Sequence, residues 1–96
     1  MGYSSKSREF LVSNRIGNAA KGDADALFDI GVAFSSGSEP DLIEAHKWFN
    51  LAALNGSHAA QESRAEISEY MSAREIAEAQ RQARAWLSAT TLCAAA

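Results

Sequence analysis

The side chains best suited to chemistry are two histidines and one cysteine. His46 and His58 stand twelve residues apart, and neither has a cysteine or carboxylate at the spacing typical of metal ligands. Both are interpreted as surface residues, His46 on the polar side of one helix and His58 in the first turn of the next. Cys93 has no histidine partner visible in the sequence, which argues against a nucleophile. The sequence therefore predicts no catalytic residue, no metal site and no cofactor, and we expect a protein that is not an enzyme.

Two other groups of residues are easily mistaken for functional motifs. Asp23, Asp25 and Asp29 lack the glycine and the closing glutamate of a calcium loop. Acids at a helix start, where they complement the helix dipole, explain these three aspartates better. Trp48 and Trp86 stand at helical spacing from apolar neighbours, so a position in the core is favoured over a role in stacking on a ligand.

The charge balance bears on which partners the chain could bind. Twelve acidic and nine basic residues give a formal net charge of −3, and the signs are mixed throughout. A nucleic-acid binder usually carries a basic stripe that neutralises phosphates, and none is visible. We therefore expect no nucleic-acid partner.

The two termini and the cysteine usage favour a cytoplasmic protein. The N-terminal residues lack the apolar segment of a secretory signal, and no apolar run approaches the ~18 residues of a membrane span. A single cysteine cannot form an internal disulfide, which fits a reducing compartment. The ending Cys93-Ala94-Ala95-Ala96 formally satisfies the prenylation pattern, but a frayed alanine-rich end is the simpler interpretation. No membrane association is predicted.

Apolar spacing and turn residues predict five helices and no strand. The first spans Ser7 to Ala20, the second follows an N-cap at Asp23, and the third begins near Pro40, placed in its first turn. Ser57 caps the fourth, and Ser72-Ala73-Arg74-Glu75 forms a capping box for the fifth. In the first, fourth and fifth helices, the residues predicted to face the core are Phe10, Leu11, Ile16, Ala20, Ala60, Ile67, Tyr70, Met71, Ile76, Ala79, Ala83, Trp86 and Leu87.

A weak internal period runs through these helices. Gly22-x-x-x-Ala26 recurs as Gly56-x-x-x-Ala60 after 34 residues, and Ala45-x-x-Trp48-Phe49 recurs as Ala83-x-x-Trp86-Leu87 after 38. Periods between about 20 and 50 residues indicate stacked supersecondary units, here pairs of helices. Small residues would let the paired helices approach closely, and large ones would fill the layer between pairs.

The segment from Ala20 to Gln61 resembles a Sel-1-like repeat, most specifically in Ala45-x-x-Trp48-Phe49-x-x-Ala52-Ala53-x-x-Gly56. That family is similar to the tetratricopeptide repeat, and the resemblance implies an all-α fold, a short right-handed antiparallel helical-repeat solenoid (an alpha–alpha superhelix). It implies protein–protein interaction and no activity. The residues expected to pack the repeat are Gly22, Ala26, Leu27, Ile30, Gly31, Phe34, Ala45, Trp48, Phe49, Ala52, Gly56, Ala60 and Trp86.

The second unit departs from the family pattern. Arg64-Ala65 stands where leucine-glycine is typical, and Ser68 replaces the expected aromatic residue. We therefore predict a flexible N-terminus (1–6), one helical-repeat domain (7–89) and a frayed tail (90–96). Within the domain, 20–61 is the clear repeat, and 57–89 is a degenerate unit with a closing helix.

These features predict a non-catalytic adaptor that binds a protein or peptide partner. The side lined by the first helix of each pair is the expected binding face. Two alternatives stay open. Helical repeats need about three units for independent stability, so the chain could instead self-assemble as a homodimer. It could also be an accessory regulatory subunit of an enzyme.

Overall fold

The computed structural model describes residues 5–95, and the side chains of residues 6–91. It contains five helices, α1 (Ser5–Ala20), α2 (Ala24–Ser35), α3 (Leu42–Leu54), α4 (His58–Ser68) and α5 (Ala73–Ala95). No strand occurs within 5–95, so the prediction of an all-helical chain with five helices is confirmed. No helix in this part of the chain combines the length and the apolar character needed to cross a membrane.

Both ends of the helical region extend further than the sequence predicts. The first helix begins at Ser5 rather than Ser7, and α5 continues past Thr90 to Ala95. Alanine has the highest helix propensity, which favours extension of α5 into the alanine-rich end. Residues 1–4 and 96, parts of the predicted flexible N-terminus and frayed tail, lie outside the described residues.

Side-chain caps start the middle helices where the sequence predicts them. The Asp23 carboxylate accepts hydrogen bonds from the backbone N–H of Asp25 (3.0 Å) and Ala26 (3.3 Å). The Ser57 hydroxyl accepts one from Ala60 N–H at 3.1 Å. Each cap satisfies backbone donors that have no partner inside the helix. The predicted N-caps of α2 and α4 are confirmed.

The start of α5 is the predicted capping box. Ser72 N–H donates to a Glu75 carboxylate oxygen at 2.8 Å, and Glu75 N–H donates to the Ser72 hydroxyl at 3.1 Å. The placement of Pro40 in the first turn of α3 is wrong, because Asp41 is the N-cap and Pro40 precedes it. The Asp41 carboxylate accepts from Glu44 N–H at 3.1 Å.

Two corners of the chain share one hydrogen-bond pattern, 34 residues apart. At the first, Asp23 N–H donates to Asn18 C=O and Gly22 N–H donates to Ala19 C=O. At the second, Ser57 and Gly56 make the same pair of bonds to Ala52 and Ala53. Both are Schellman motifs, which require the left-handed conformation that Gly22 (φ 84°) and Gly56 (φ 98°) adopt. The repeated glycines in the sequence thus mark two equivalent turns, each followed at once by the next N-cap.

The core is organised around α3, which packs against α2, α4 and α5, while α1 packs against α2. The fully buried large side chains are Leu27 and Ile30 of α2 and Phe49 and Leu51 of α3. Alanines fill most of the remaining space, and the buried ones in the core cluster are Ala19, Ala26, Ala45, Ala52, Ala60 and Ala83. The hydrophobic stabilisation therefore depends on few large residues.

Helices α2 and α3 approach each other closely at Gly31. A Cβ built on Gly31 would stand 2.5 Å from Cδ1 of Phe49, a separation that real side chains do not show. The Phe49 ring thus packs directly on the backbone of α2, and its other neighbour is the Phe28 ring at 5.5 Å between centroids. Only glycine at position 31 permits this contact.

An aromatic pair joins α3 to α5. The rings of Trp48 and Trp86 meet edge to face with centroids 4.8 Å apart, a favourable aromatic geometry. Trp48 is buried, and its indole N–H donates to the Glu44 carboxylate at 3.4 Å. Trp86, Phe34 and Gly22 are partly buried, and Gly56 is exposed.

Helices α4 and α5 do not pack against each other as α2 and α3 do. Helices α4 and α5 each pack against α3 and make few contacts with each other. The described architecture is therefore a central helix surrounded by its neighbours, in which α3 carries the contacts of three helices.

Four of the residues predicted to face the core face solvent instead. Phe10 is 72% exposed, Tyr70 is 78% exposed, and Ala20 and Leu87 are exposed too. In α1, Ala19 is buried in place of Ala20. Tyr70 lies beyond the end of α4 at Ser68, so the helical spacing that predicts its inward position no longer applies there.

Arg8 of α1 holds the connection between α2 and α3. Its guanidinium donates to the carbonyl oxygens of Ala33 (3.2 Å), Ser36 (3.4 Å) and Glu39 (3.0 Å). It also lies 5.1 Å from the centroid of the Phe34 ring. A cation that bonds to the last carbonyls of α2 is favourable because the helix dipole is negative there.

The packing of Phe49 on Gly31 leads to a paired prediction. We expect Gly31→Ala to lower the free energy of unfolding by about 1–3 kcal/mol, because overpacking outweighs the better helix propensity of alanine. Gly17→Ala is the control, since nothing lies within 4 Å of a Cβ there. That change should be neutral or stabilise the protein by up to about 1 kcal/mol. Urea unfolding followed by circular dichroism measures both, and equal stability of the two variants would contradict the packing.

Candidate interaction groove

The two histidines considered as candidates for chemistry lie on different helices. His58 is exposed at the start of α4, as predicted, while His46 lies on α3. Within the described residues, no group of three or more His, Cys, Asp or Glu side chains is placed to share a metal ion. The side chain of Cys93 lies outside the described range.

The prediction of His46 as a surface residue is wrong. Its side chain is only 3% exposed, and Nδ1 is buried without a hydrogen-bond partner. Asn50, one turn further along α3, accepts a hydrogen bond from the Arg64 guanidinium of α4 at 2.5 Å. The polar side of α3 is therefore covered by α4, which the amphipathic pattern of α3 alone does not reveal.

The surroundings of His46 disfavour its charged form. Burial is the main cause and lowers the pKa of His46 below its ordinary value of 6.5, and the positive charge of Arg64 lowers it further. His46 is thus held neutral in the folded protein near pH 7. It contributes to the contact between α3 and α4 as a packed side chain.

The three aspartates near the start of α2 have structural partners or exposed positions. Asp23 is the N-cap described above, and Asp29 forms an ion pair with Arg15 at 3.2 Å. Asp25 is exposed in the first turn of α2. Asp23 and Asp29 are therefore used in contacts within the protein, as a helix cap and as an ion-pair partner.

A groove of ≈ 230 Å³ opens between α2 and α4, above α3. We call it the α2–α4 groove, and its lining residues are Val32, Ser35, Phe49, Ser63, Glu66, Ile67 and Tyr70. Phe49 and Ile67 belong to the core or pack against it, so they form a fixed apolar floor. The hydroxyl groups of Ser35 and Ser63 and the carboxylate of Glu66 add polar groups around that floor.

Tyr70 gives the α2–α4 groove an exposed aromatic side chain. It follows α4 in the turn closed by a hydrogen bond from Tyr70 N–H to Ile67 C=O at 3.0 Å. Tyrosine offers a large, rigid contact surface together with a hydroxyl, which is why it is enriched at protein interfaces. The prediction that Tyr70 faces the core is wrong because α4 ends two residues earlier, at Ser68.

Another cavity, of ≈ 240 Å³, lies among the end of α1, the end of α3 and the middle of α5. Its apolar lining includes Leu27, Leu51 and Trp86, whose side chains already pack in or against the core. Lys21 is the only charged side chain among its described lining residues. Unlike the α2–α4 groove, this cavity has no carboxylate among its described lining residues.

Comparison with known proteins adds no relative. No protein-family model matches the chain, and neither curated proteins nor solved structures provide a significant match.

Burial of His46 leads to a pH prediction. Because its folded-state pKa lies below 6.5, the unfolded chain binds the proton more readily, and stability falls as the pH drops below about 6.5. Stability from this group is fully present above that pH. We expect the urea midpoint to decrease between pH 7.5 and pH 5.5, and to decrease less in His46→Phe. His58→Gln, which changes an exposed histidine, should keep the full decrease, and an unchanged decrease in His46→Phe would contradict the burial of His46.

Proposed function

We propose that this chain is a non-catalytic protein-interaction module of the Sel-1-like repeat type, which binds a protein or peptide segment in the α2–α4 groove. The observation that carries the proposal is an apolar groove between the first helices of the two units. Those are the helices expected to line the binding face of such a module. Phe49, a residue of the most specific part of the resemblance, lies in its floor.

The construction of the groove suits binding without conformational change. Its floor is fixed by the contact of Phe49 with Gly31, and its α4 side begins at the Ser57 cap and the Gly56 corner. A preformed surface spares the partner the cost of ordering the module. At ≈ 230 Å³ the groove is smaller than the about 300–1,000 Å³ typical of small-molecule pockets. That size favours the side chains of a peptide over a small molecule.

A second candidate function is self-association through α1. Phe10 projects from α1 with 72% of its surface exposed, and α1 packs mainly against one helix, α2. A large exposed aromatic on a helix with an open side can be buried against a second copy. This alternative uses a different surface from the α2–α4 groove, so the two are separable by mutation.

Matched substitutions of two exposed aromatics test the proposed groove. We expect Tyr70→Ala to abolish or strongly reduce capture of a partner from native cell extract, because Tyr70 lines the groove. Phe10→Ala removes an equally exposed ring elsewhere and should leave capture intact. Thermal unfolding of both variants checks that they remain folded. Capture that depends on Phe10 and not on Tyr70 would contradict the groove.

Sedimentation tests the alternative. If copies associate through α1, the wild-type chain should sediment as a dimer at low micromolar concentration and Phe10→Ala should sediment as a monomer. Tyr70→Ala is the control and should keep the wild-type state. A compact, stable wild-type monomer would contradict the homodimer hypothesis. It would favour the view that α1 and α5 cap the repeat.

A further inference from the structure

Three carboxylates run along α4 beside the α2–α4 groove. Glu62, Glu66 and Glu69 are spaced by four and three residues, which places them on one side of the helix. All three are exposed, and Glu66 lines the groove itself. Among the described residues, none of the three carboxylates forms an ion pair or accepts a hydrogen bond from another side chain.

Most acids outside this row have partners within the protein. Six of the nine other carboxylates are helix caps or partners of Arg, Lys or Trp side chains, while Glu9, Asp25 and Glu39 are exposed at scattered positions. The six are Asp23, Asp29, Asp41, Glu44, Glu75 and Glu78. The α4 row therefore keeps its full hydrogen-bonding and charge capacity for an external group.

The position of the row is unfavourable for the isolated protein. Glu62 and Glu66 stand one turn apart, where like charges repel. Glu66 and Glu69 lie in the last turn and at the C-cap of α4, the end where the helix dipole is negative. A cationic partner would relieve both the mutual repulsion and the conflict with the dipole. Local electrostatics thus favours a positively charged occupant of the groove.

The nearest basic side chain on α4 does not neutralise the row. Arg64 donates to Asn50 on α3 and so faces the interface between α3 and α4. Arg15 of α1 is paired with Asp29 of α2. These cations are committed to contacts within the chain.

We propose that the occupant of the α2–α4 groove is an extended peptide segment in which Lys or Arg alternates with apolar residues. This inference rests on the proposed function. Alternate residues of an extended chain project to opposite sides and repeat about every 6.6 Å, close to the ~6 Å rise between Glu62 and Glu66. One set of side chains then reaches the carboxylates of α4. The other set packs on Ile67 and Val32, above the buried Phe49 ring.

Three synthetic fluorescent nonapeptides test the composition of the occupant. One alternates arginine with leucine, one glutamate with leucine, and one arginine with serine. We expect fluorescence anisotropy to show binding of the arginine–leucine peptide, weaker binding of the arginine–serine peptide and none of the glutamate–leucine peptide. Affinity should fall as salt rises, because the charges involved are exposed.

A charge-matched pair of variants locates the site. Glu62→Gln/Glu66→Gln/Glu69→Gln should weaken binding of the arginine–leucine peptide by about tenfold, the combined effect of three exposed ion pairs. Glu9→Gln/Asp25→Asn/Glu39→Gln removes the same net charge from exposed positions outside the groove lining and should leave the affinity within about twofold. Equal weakening in both triple variants would show nonspecific charge attraction and overturn the inference.

The outcomes separate this inference from the proposed function. Binding of the glutamate–leucine peptide that is lost in Tyr70→Ala would leave the groove as a binding site and overturn the basic occupant. The same conclusion would follow if the segment captured from extract in a Tyr70-dependent manner proved acidic or neutral. If no peptide binds and no Tyr70-dependent capture occurs, the inference and the proposed function fail together.

Discussion

The contact of the Phe49 ring with the bare backbone of Gly31 sets the distance between α2 and α3, and the rest of the structure depends on that distance. It brings the largest fully buried side chains of the protein into one layer, with Leu27 and Ile30 from α2 and Leu51 from α3. It also fixes where the opposite sides of α3 lie. Those sides receive α4 and α5, and the Phe49 ring of the same layer lies beneath the α2–α4 groove.

The central position of α3 explains why its composition differs from that of a surface helix. Its buried residues spread over more than one face, and they include Ala45, His46, Trp48, Phe49 and Leu51. A helix covered by three neighbours leaves little exposed surface, so some of its polar groups must be accommodated inside. His46 is the clearest case. The Asn50–Arg64 hydrogen bond beside it provides a polar link between α3 and α4.

The local features of the fold were predictable from the sequence because neighbours along the chain determine them. The caps at Asp23 and Ser57, the capping box at Ser72 and the turns at Gly22 and Gly56 each involve residues within one helical turn. The all-helical class follows from the same local signals. These features need no knowledge of how the helices pack.

The errors concern residues whose environment is set by other helices. Phe10 is exposed because α1 packs mainly against one neighbour, and His46 is buried because α4 covers the polar side of α3. Tyr70 was misplaced because helical spacing was extended beyond the end of α4. The α2–α4 groove depends on the relative placement of two helices that are not adjacent in sequence. The sequence predicts that Phe49 and Ile67 are apolar core residues. It does not predict that a groove opens above them.

The two Schellman corners have a consequence for how the chain tolerates changes in length. At each corner a glycine ends one helix and the very next residue caps the following one, so an added or deleted residue would break the stop signal and the start signal together. The connection from 36 to 41 differs, because stop and start are separated there and the segment is held at the carbonyls of Ser36 and Glu39. Insertions and deletions that arise in this gene would therefore survive in the α2–α3 connection and be eliminated at the corners. The number of residues between α1 and α2 and between α3 and α4 is therefore fixed, while the connection between α2 and α3 can vary in length.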